Sequence, residues 1–189
     1  MPLSRATPLP KPFAITGHAI VSADGMIAMA DGSMPEGLRV DADWQTFQAA
    51  LDKSVLVVLG RKGHAHHPNR GRRRRLVLTR SVNGLGADPS DPLAHLWNPA
   101  GMPLPALLTE LQITGGDIAI TGGQGVFDYF APAFTSFLLS EVHDLVMPNG
   151  ITCFSDAHPR QALAHFGLHP QSISPLERDG QVTATLWQR

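Results

Sequence analysis

Short unbroken apolar runs constrain the fold of this chain more than any other feature. The runs SVLVVLG, RLVLTRS and GGDIAITGG are too short for a buried helix, and they lack the alternation of a half-exposed strand. Runs of this kind are typical of strands buried on both faces of a parallel sheet. Sixteen prolines and eighteen glycines also favour many short elements over long helical bundles. The chain is therefore expected to form an α/β sheet.

A helix is predicted to begin near DADWQTFQAALDK, where either Asp41 or Asp43 can act as the N-cap. Trp44, Phe47 and Leu51 recur at spacings of three and four residues, so they share one helical face. That face is expected to point into the core.

The remaining segments complete a three-layer α/β/α arrangement with a mainly parallel sheet and a C-terminal antiparallel hairpin. One domain is expected over residues 1–189, with residues 1–12 as a flexible N-terminal extension. Gly84 to Gly101 is predicted to be a loop. The other predicted elements are strands at FAITGHAIVS and FLLSEVHDLVM, helices at PLPALLTEL and QGVFDYFAPAF, and two β-like runs about an Asp179-Gly180 turn.

Composition limits the classes of function. A length of 189 residues with 43% hydrophobic content suits one domain with a real core. The formal net charge of −1 makes the run RGRRRR a local feature rather than the basic face of a nucleic-acid binder. The single cysteine, Cys153, excludes an internal disulfide. With no apolar leader and no membrane-length apolar run, the expectation is a cytoplasmic protein with a small-molecule substrate and no membrane partner.

Ligands of open α/β sheets bind at the carboxyl ends of the strands. Two such ends carry the motifs LGRK and TGGQG, and adjacent glycines there let backbone N–H groups approach a pyrophosphate. Arg61, Lys62, Thr79 and Arg80 add cations and a hydroxyl that suit an extra phosphate, such as the 2′-phosphate of NADP. A structural turn and a solvated basic loop are the open alternatives.

Several motifs occur together in a characteristic order. They are IVSADGMIA, MPEGLRVDADWQTF, VVLGRK, GRRRRLVLTRS, AITGGQGVFDYF and the terminal hairpin, and they span roughly residues 13 to 187. The ordered set resembles the dihydrofolate reductase family, including the related reductase domain of riboflavin biosynthesis. The resemblance implies an NADPH-dependent oxidoreductase with an eight-stranded, mainly parallel sheet.

The resemblance also implies roles for particular residues. Asp43 is the candidate catalytic carboxylate, with Asp41 as runner-up and a plain N-cap as the alternative for either. Phe47 and Met34 are the candidate substrate-binding residues. The implied cofactor-binding residues lie in three segments: Ile20, Asp24, Gly25 and Ile27 near the nicotinamide; Gly60, Arg61, Lys62, Thr79 and Arg80 at the adenosine phosphate; and Gly122, Gly123, Gln124, Gly125 and Val126 at the pyrophosphate.

Departures from the family pattern leave the substrate open. The usual GRKTW is GRKGH here, and the usual MPW is Met34-Pro35-Glu36, which removes a tryptophan from the pterin site. A pterin-like, dihydrofolate-type heterocycle and a ribosylaminopyrimidine are therefore both retained as substrates. A nucleic-acid-binding module that uses the Arg-rich run is the alternative from a different class.

The remaining motifs are interpreted as structural. No metal is expected at His64, His66 and His67, because no carboxylate or cysteine lies nearby in sequence. These histidines and Arg72 to Arg74 are expected to form a connecting loop. A homodimer is compatible with an edge strand at FTSFLLSEVHDLVM, although that segment could equally be internal.

Overall fold

The computed structural model describes residues 5–177 and 180–189. These residues form eleven strands and five α-helices, in the order β1 (Phe13–Ser22), β2 (Met26–Ala28), α1 (Asp41–Lys53), β3 (Leu56–Gly60), α2 (Arg61–His66), β4 (Arg75–Leu78), β5 (Leu85–Ala87), β6 (Ala94–Trp97), α3 (Leu104–Glu110), β7 (Gly116–Ile120), α4 (Gln124–Phe130), β8 (Ser136–Val142), β9 (Ile151–Thr152), α5 (Pro159–His165), β10 (His169–Pro175) and β11 (Val182–Gln188).

The main sheet has nine strands in the order β10-β11-β8-β1-β7-β3-β4-β6-β5. The six strands from β8 to β6 run parallel to one another, whereas β10 and β11 on one side and β5 on the other pair antiparallel. This arrangement confirms the predicted fold class, and the sheet has nine strands where the resemblance implied eight. The predicted C-terminal hairpin is formed by β10 and β11, and Asp179 of its predicted turn lies outside the described residues.

The two faces of the sheet are covered by different helices, as the buried strands require. Val57 of β3 and Ala119 of β7 pack with Leu51 of α1. Their neighbours in sequence point to the opposite face, where Val58 and Ile118 belong to the large core that also includes α3 and α4. Successive strand residues alternate between faces, so one short apolar run packs against helices on both sides of the sheet.

The N-terminal segment corrects one prediction. Residues 5–12 were expected to be a flexible extension, but Ala6 is buried and its N–H donates to the carbonyl of Tyr129 at 2.8 Å. Leu9 also packs against the core. Hydrophobic contact and a backbone hydrogen bond therefore hold this segment on the domain.

The prediction of a plain loop over residues 84–101 was wrong. This segment contains β5 and β6, and β6 extends the parallel sheet beside β4. Trp97 at the end of β6 is fully buried, and its indole N–H donates to the carbonyl of Met102 at 2.7 Å. The prolines and glycines around the strands concealed a four-residue element that tertiary pairing stabilises.

The segment FLLSEVHDLVM was considered as a dimer edge, and the structure places its strand inside the sheet. β8 lies between β1 and β11 and is hydrogen-bonded on both sides. The outer strands of the described sheet are β10 and β5 instead.

Candidate active site

A cleft of about 480 Å³ opens at the carboxyl ends of β1, β3 and β7. One wall is α1, and the opposite border is formed by the glycine turn after β7. The predicted site residues that line this cleft are Ile20, Ile27, Met34, Asp43, Phe47, Gly122 and Gly123. Parts of three separate predicted segments therefore meet around one cavity.

Asp43 is the carboxylate of this cleft. The N-cap of α1 is Val40, so neither Asp41 nor Asp43 caps the helix as predicted. Asp43 lies in the first turn and accepts a hydrogen bond of 2.5 Å from the Ser140 hydroxyl on β8. Burial raises the pKa of Asp43, and the bond from Ser140 partly opposes this effect. Asp41 is exposed and does not line the cleft.

His18 is a cleft residue that the sequence did not single out. It lies on β1 and is only 7% exposed, with its ring 5.9 Å from that of Phe47 in a T-shaped contact. Neither of its ring nitrogens has a hydrogen-bond partner within residues 5–177 and 180–189. Burial lowers the pKa of His18 from 6.5 to about 4, so the ring is neutral at physiological pH. Only the alternation of β1 could have indicated that this histidine faces α1.

The outer wall of the cleft is apolar. Trp44 was expected in the core, but it is 54% exposed, because its face of α1 turns towards the mouth of the cleft. Its ring lies 5.8 Å from that of Phe47, and Met34 stands beside them with 38% exposure. Large apolar side chains exposed together at a cleft suit the face of a planar ring.

The turn after β7 requires a glycine at position 122. Gly122 has a φ of +84°, and a Cβ there would lie 2.5 Å from the Phe127 ring. Its carbonyl accepts from the Gly60 N–H at 2.8 Å, which ties the turn to the end of β3. The peptide bond between Gly122 and Gly123 is cis.

The start of α4 continues this turn. Gly123 is the N-cap of α4, and a Cβ on Gly125 would meet no atom within 4 Å. Gln124 donates through its amide to the Thr152 hydroxyl at 2.5 Å, and Val126 is buried. Gln124, Gly125 and Val126 therefore border the turn without lining the cleft itself.

The predicted phosphate residues lie at two adjacent strand ends. β3 and β4 are parallel neighbours with Gly60 opposite Leu78, so the residues after each strand emerge side by side. Arg61 and Lys62 are exposed in the first turn of α2, and Arg80 is exposed after β4. Thr79, in contrast, is buried, and its hydroxyl forms a hydrogen bond of 3.0 Å with the hydroxyl of Ser81.

The loop after the first strand is fixed by Asp24. Its carboxylate accepts from the Ser22 hydroxyl at 2.6 Å and from the Met147 N–H at 3.1 Å. Gly25 has a φ of +84° and lies against His158 and Pro159. Both residues thus shape the loop that presents Ile27, and neither lines the cleft.

Arg72 to Arg74 lie in a connecting loop between α2 and β4, as predicted, and Arg73 and Arg74 of this loop are bonded to the rest of the domain. Arg73 donates to Asp52 at 2.6 and 2.8 Å and to the side chain of Gln48 at 2.8 Å, which fastens the segment to α1. Arg74 and Arg75 donate to backbone carbonyls, and Arg70, Arg73 and Arg75 line the far end of the cleft. Most of this charge therefore contacts the protein itself, which weakens the nucleic-acid alternative.

Two of the three histidines predicted to lie in a loop belong to a helix, and His67 follows its end. His64 and His66 belong to α2, and His64 contacts Asp88 at 3.0 Å and Arg75 at 3.3 Å. Within the described part of the chain, no three side chains of His, Cys, Asp or Glu are grouped to hold a metal ion. None of the described helices has the length and apolar character needed to cross a membrane.

Comparisons with known proteins identify the fold. No protein-family model matches the chain, and no curated protein matches its sequence significantly. A solved structure of a protein assigned to riboflavin biosynthesis in Shewanella sp. PV-4 is similar, with a TM-score of 0.66, 15% identity, and coverage of 94% of this chain and 99% of the other.

Two further structures agree with the first. Dihydrofolate reductase of Enterococcus faecalis, complexed with NADP(H) and RAB-propyl, has a TM-score of 0.65, 19% identity, and coverage of 93% and 96%. A Thermotoga maritima diaminohydroxyphosphoribosylaminopyrimidine deaminase/5-amino-6-(5-phosphoribosylamino)uracil reductase has a TM-score of 0.61, 12% identity and coverage of 93%, and this chain spans 56% of it. The chain therefore has the dihydrofolate reductase-like fold.

Proposed function

We propose that this chain is an NADPH-dependent reductase that transfers hydride to a pterin-like, dihydrofolate-type heterocycle. The observation that carries the proposal is Asp43, a partly buried carboxylate in an aromatic-walled cleft that faces a glycine turn at the strand ends. A similar structure contains NADP(H), which supports the same cofactor here.

The residues around the glycine turn fit a dinucleotide. Gly122 and Gly123 leave the cleft floor free of side chains. The backbone N–H groups of Gln124 and Gly125 precede the first hydrogen bond of α4, which runs from the Val126 N–H to the Gly123 carbonyl at 2.9 Å. Arg61, Lys62 and Arg80 would hold the 2′-phosphate at the neighbouring strand ends. NADPH, when bound, supplies the hydride.

Asp43 would bind and protonate the heterocycle. Its Oδ1 accepts the Ser140 hydroxyl, so Oδ2 is available to pair with a ring N–H or amino group. Because burial raises its pKa, the carboxyl group can carry a proton nearer to neutral pH and deliver it beside the carbon that receives hydride. Phe47, one helical turn further along α1, would contact the face of the same ring.

A ribosylaminopyrimidine is the second candidate substrate. The specific observation in its favour is the far end of the cleft, where Arg70 is exposed and Arg75 borders the same space. A ribose phosphate attached to a small ring held at Asp43 would extend towards these guanidinium groups. Two of the similar structures belong to proteins described by riboflavin biosynthesis or by this reductase activity.

The decisive experiment follows NADPH oxidation by absorbance with dihydrofolate, dihydrobiopterin and 5-amino-6-(5-phosphoribosylamino)uracil in parallel. Turnover with either pterin supports the first candidate, and turnover with the pyrimidine alone selects the second. NADPH should also raise the melting temperature more than NADH does. If neither nucleotide changes the melting temperature at millimolar concentration, the reductase proposal fails.

The cofactor preference has its own test. Replacing Arg61 and Lys62 together by alanine should reduce the advantage of NADPH over NADH in thermal stabilisation, because the added phosphate loses its cations. Lys53→Ala is the matched control, since Lys53 is an exposed cation at the C-terminal end of α1 and does not line the cleft. An unchanged preference in the double variant would exclude these two residues from the phosphate site.

A further inference from the structure

We propose that His18 is a substrate-contacting residue, whose imidazole forms a hydrogen bond with an uncharged polar edge of the heterocycle next to the group held by Asp43. This inference rests on the proposed reductase function and deepens it. It assigns the substrate a ring with two neighbouring polar positions, one for the carboxylate and one for the imidazole.

The imidazole of His18 has unsatisfied hydrogen-bonding capacity within the described structure. The side chain is 7% exposed, and among the described residues neither Nδ1 nor Nε2 has a partner. Buried polar groups in folded proteins are almost always hydrogen-bonded, so two unpartnered nitrogens in one ring call for a specific reason. A ligand that enters the adjoining cleft can supply the missing partner.

His18 and Asp43 line the same cleft. In the parallel pairing of β1 with β8, His18 lies opposite Leu138 and Ile20 lies opposite Ser140, whose hydroxyl holds Asp43. His18 and Ile20 share one face of β1 and are separated by about 7 Å along the strand. The imidazole on β1 and the carboxylate on α1 therefore border the same part of the cleft, where one ring can meet both.

The charge state of His18 limits the groups that it can recognise. Burial keeps the ring of His18 neutral, so it offers one N–H donor and one acceptor nitrogen. Such a group suits a ring carbonyl, a ring nitrogen or an amino group, and without a positive charge it attracts a phosphate or carboxylate less strongly than a guanidinium group does. Anionic parts of the substrate are then expected at the opposite end of the cleft, near Arg70.

Access to the imidazole depends on Phe47. Both nitrogens are shielded from water in the free protein, and the ring of Phe47 meets that of His18 in the T-shaped contact described above. Phe47 is half-buried and borders the cleft, so its side chain has room to turn. A shift of this ring when the heterocycle enters would expose the edge of His18.

The test compares His18→Leu and His18→Asn with the wild type, with His169→Leu as control. His169 is exposed at the start of the outer strand β10 and does not line the cleft. Leucine removes two unpartnered polar atoms from an apolar wall, so His18→Leu should have a higher melting temperature than the wild type. At the same time KM for the substrate that the wild type reduces should rise at least tenfold, with NADPH-induced stabilisation unchanged.

Asparagine restores a neutral donor and acceptor, so the KM of His18→Asn should lie between that of His18→Leu and that of the wild type. His169→Leu should leave KM unchanged. The inference is overturned if KM of His18→Leu stays within twofold of the wild type. It is also overturned if the melting temperature falls and NADPH stabilisation is lost, because both results indicate a packing role.

Failure of the proposed function would look different. In that case the wild type itself reduces none of the three substrates. The imidazole ¹⁵N signals of His18 are then followed on addition of dihydrofolate with NADP⁺. A shift of these signals in the wild type supports contact without turnover, and no shift overturns it.

Discussion

The two ends of the cleft use polar groups in opposite ways. At the acid end, Asp43 and His18 border a mainly apolar part of the cleft. Burial raises the pKa of Asp43 and lowers the pKa of His18, and both shifts favour the neutral form. At the arginine end, Arg73 is held by Asp52 and Gln48, while Arg70 is exposed. The first end holds an imidazole with no hydrogen-bond partner among the described residues, whereas at the second end Arg73 and Arg75 already bond to the protein.

The difference indicates where specificity and where affinity would arise. Desolvated groups discriminate strongly between ring edges, because a mismatched ligand leaves a buried group unpaired. Exposed guanidinium groups attract anions with little discrimination, and salt weakens them. Substitutions should therefore have large effects at the acid end and small effects at the arginine end.

The largest effect is expected for Asp43→Asn. The amide cannot deliver a proton, so turnover should fall by about 100-fold or more, while NADPH-induced stabilisation is retained. Steady-state kinetics and thermal shift measure the two quantities separately. Asp41→Asn is the control, because Asp41 is exposed on the same turn of α1, and it should change turnover less than twofold. Equal losses of turnover in both variants would contradict the role of Asp43 as the proton donor.

The next effect is a pH-dependent stability contribution from His18. Its pKa is about 4 in the folded protein against 6.5 ordinarily, so between these values the unfolded chain binds more protons. The free energy of unfolding should fall as pH drops from 6.5 to 4, by up to about 3 kcal/mol. In denaturant titrations, the difference in the free energy of unfolding between His18→Leu and the wild type should therefore be larger at low pH than at neutral pH. Identical pH profiles would contradict a buried neutral imidazole.

A smaller effect is expected for the pair of Arg73 with Asp52. Asp52 is 64% exposed, which screens the interaction, so a double-mutant cycle with alanine at both positions should give a coupling of about 0.5–1 kcal/mol. The coupling should shrink at high salt. A coupling several times larger would mean that the arginine end is as strongly desolvated as the acid end.

The smallest effect is expected for Arg70→Ala. Because Arg70 is exposed at the cleft, its loss should raise KM two- to fivefold for dihydrofolate or the phosphorylated pyrimidine, both of which carry anions, on the order expected for one screened charge. KM for uncharged dihydrobiopterin should not change. Arg72→Ala is the control, since Arg72 is exposed but does not line the cleft. An equal change with all three substrates would exclude an anion-binding role.

Several parts of the fold could be predicted because their signals are local. The runs around Val57, Leu76 and Ile118 are continuous and apolar, and each forms a strand buried on both faces. The strands β5 and β6 were missed, because three or four residues between prolines carry no periodic pattern. Trp44 was misplaced because helical periodicity identifies a face and cannot tell a core from a cleft.

The sequence by itself determined the α/β architecture, the glycine turn at Gly122 and the acidic first turn of α1, since each depends on residues adjacent in the chain. Only the tertiary structure brought Ser140, 97 residues away, to Asp43, and only it buried both nitrogens of His18. The physical reason is that hydrogen-bond satisfaction and desolvation depend on neighbours across strands. Both quantities become defined when β1, β8 and α1 pack together.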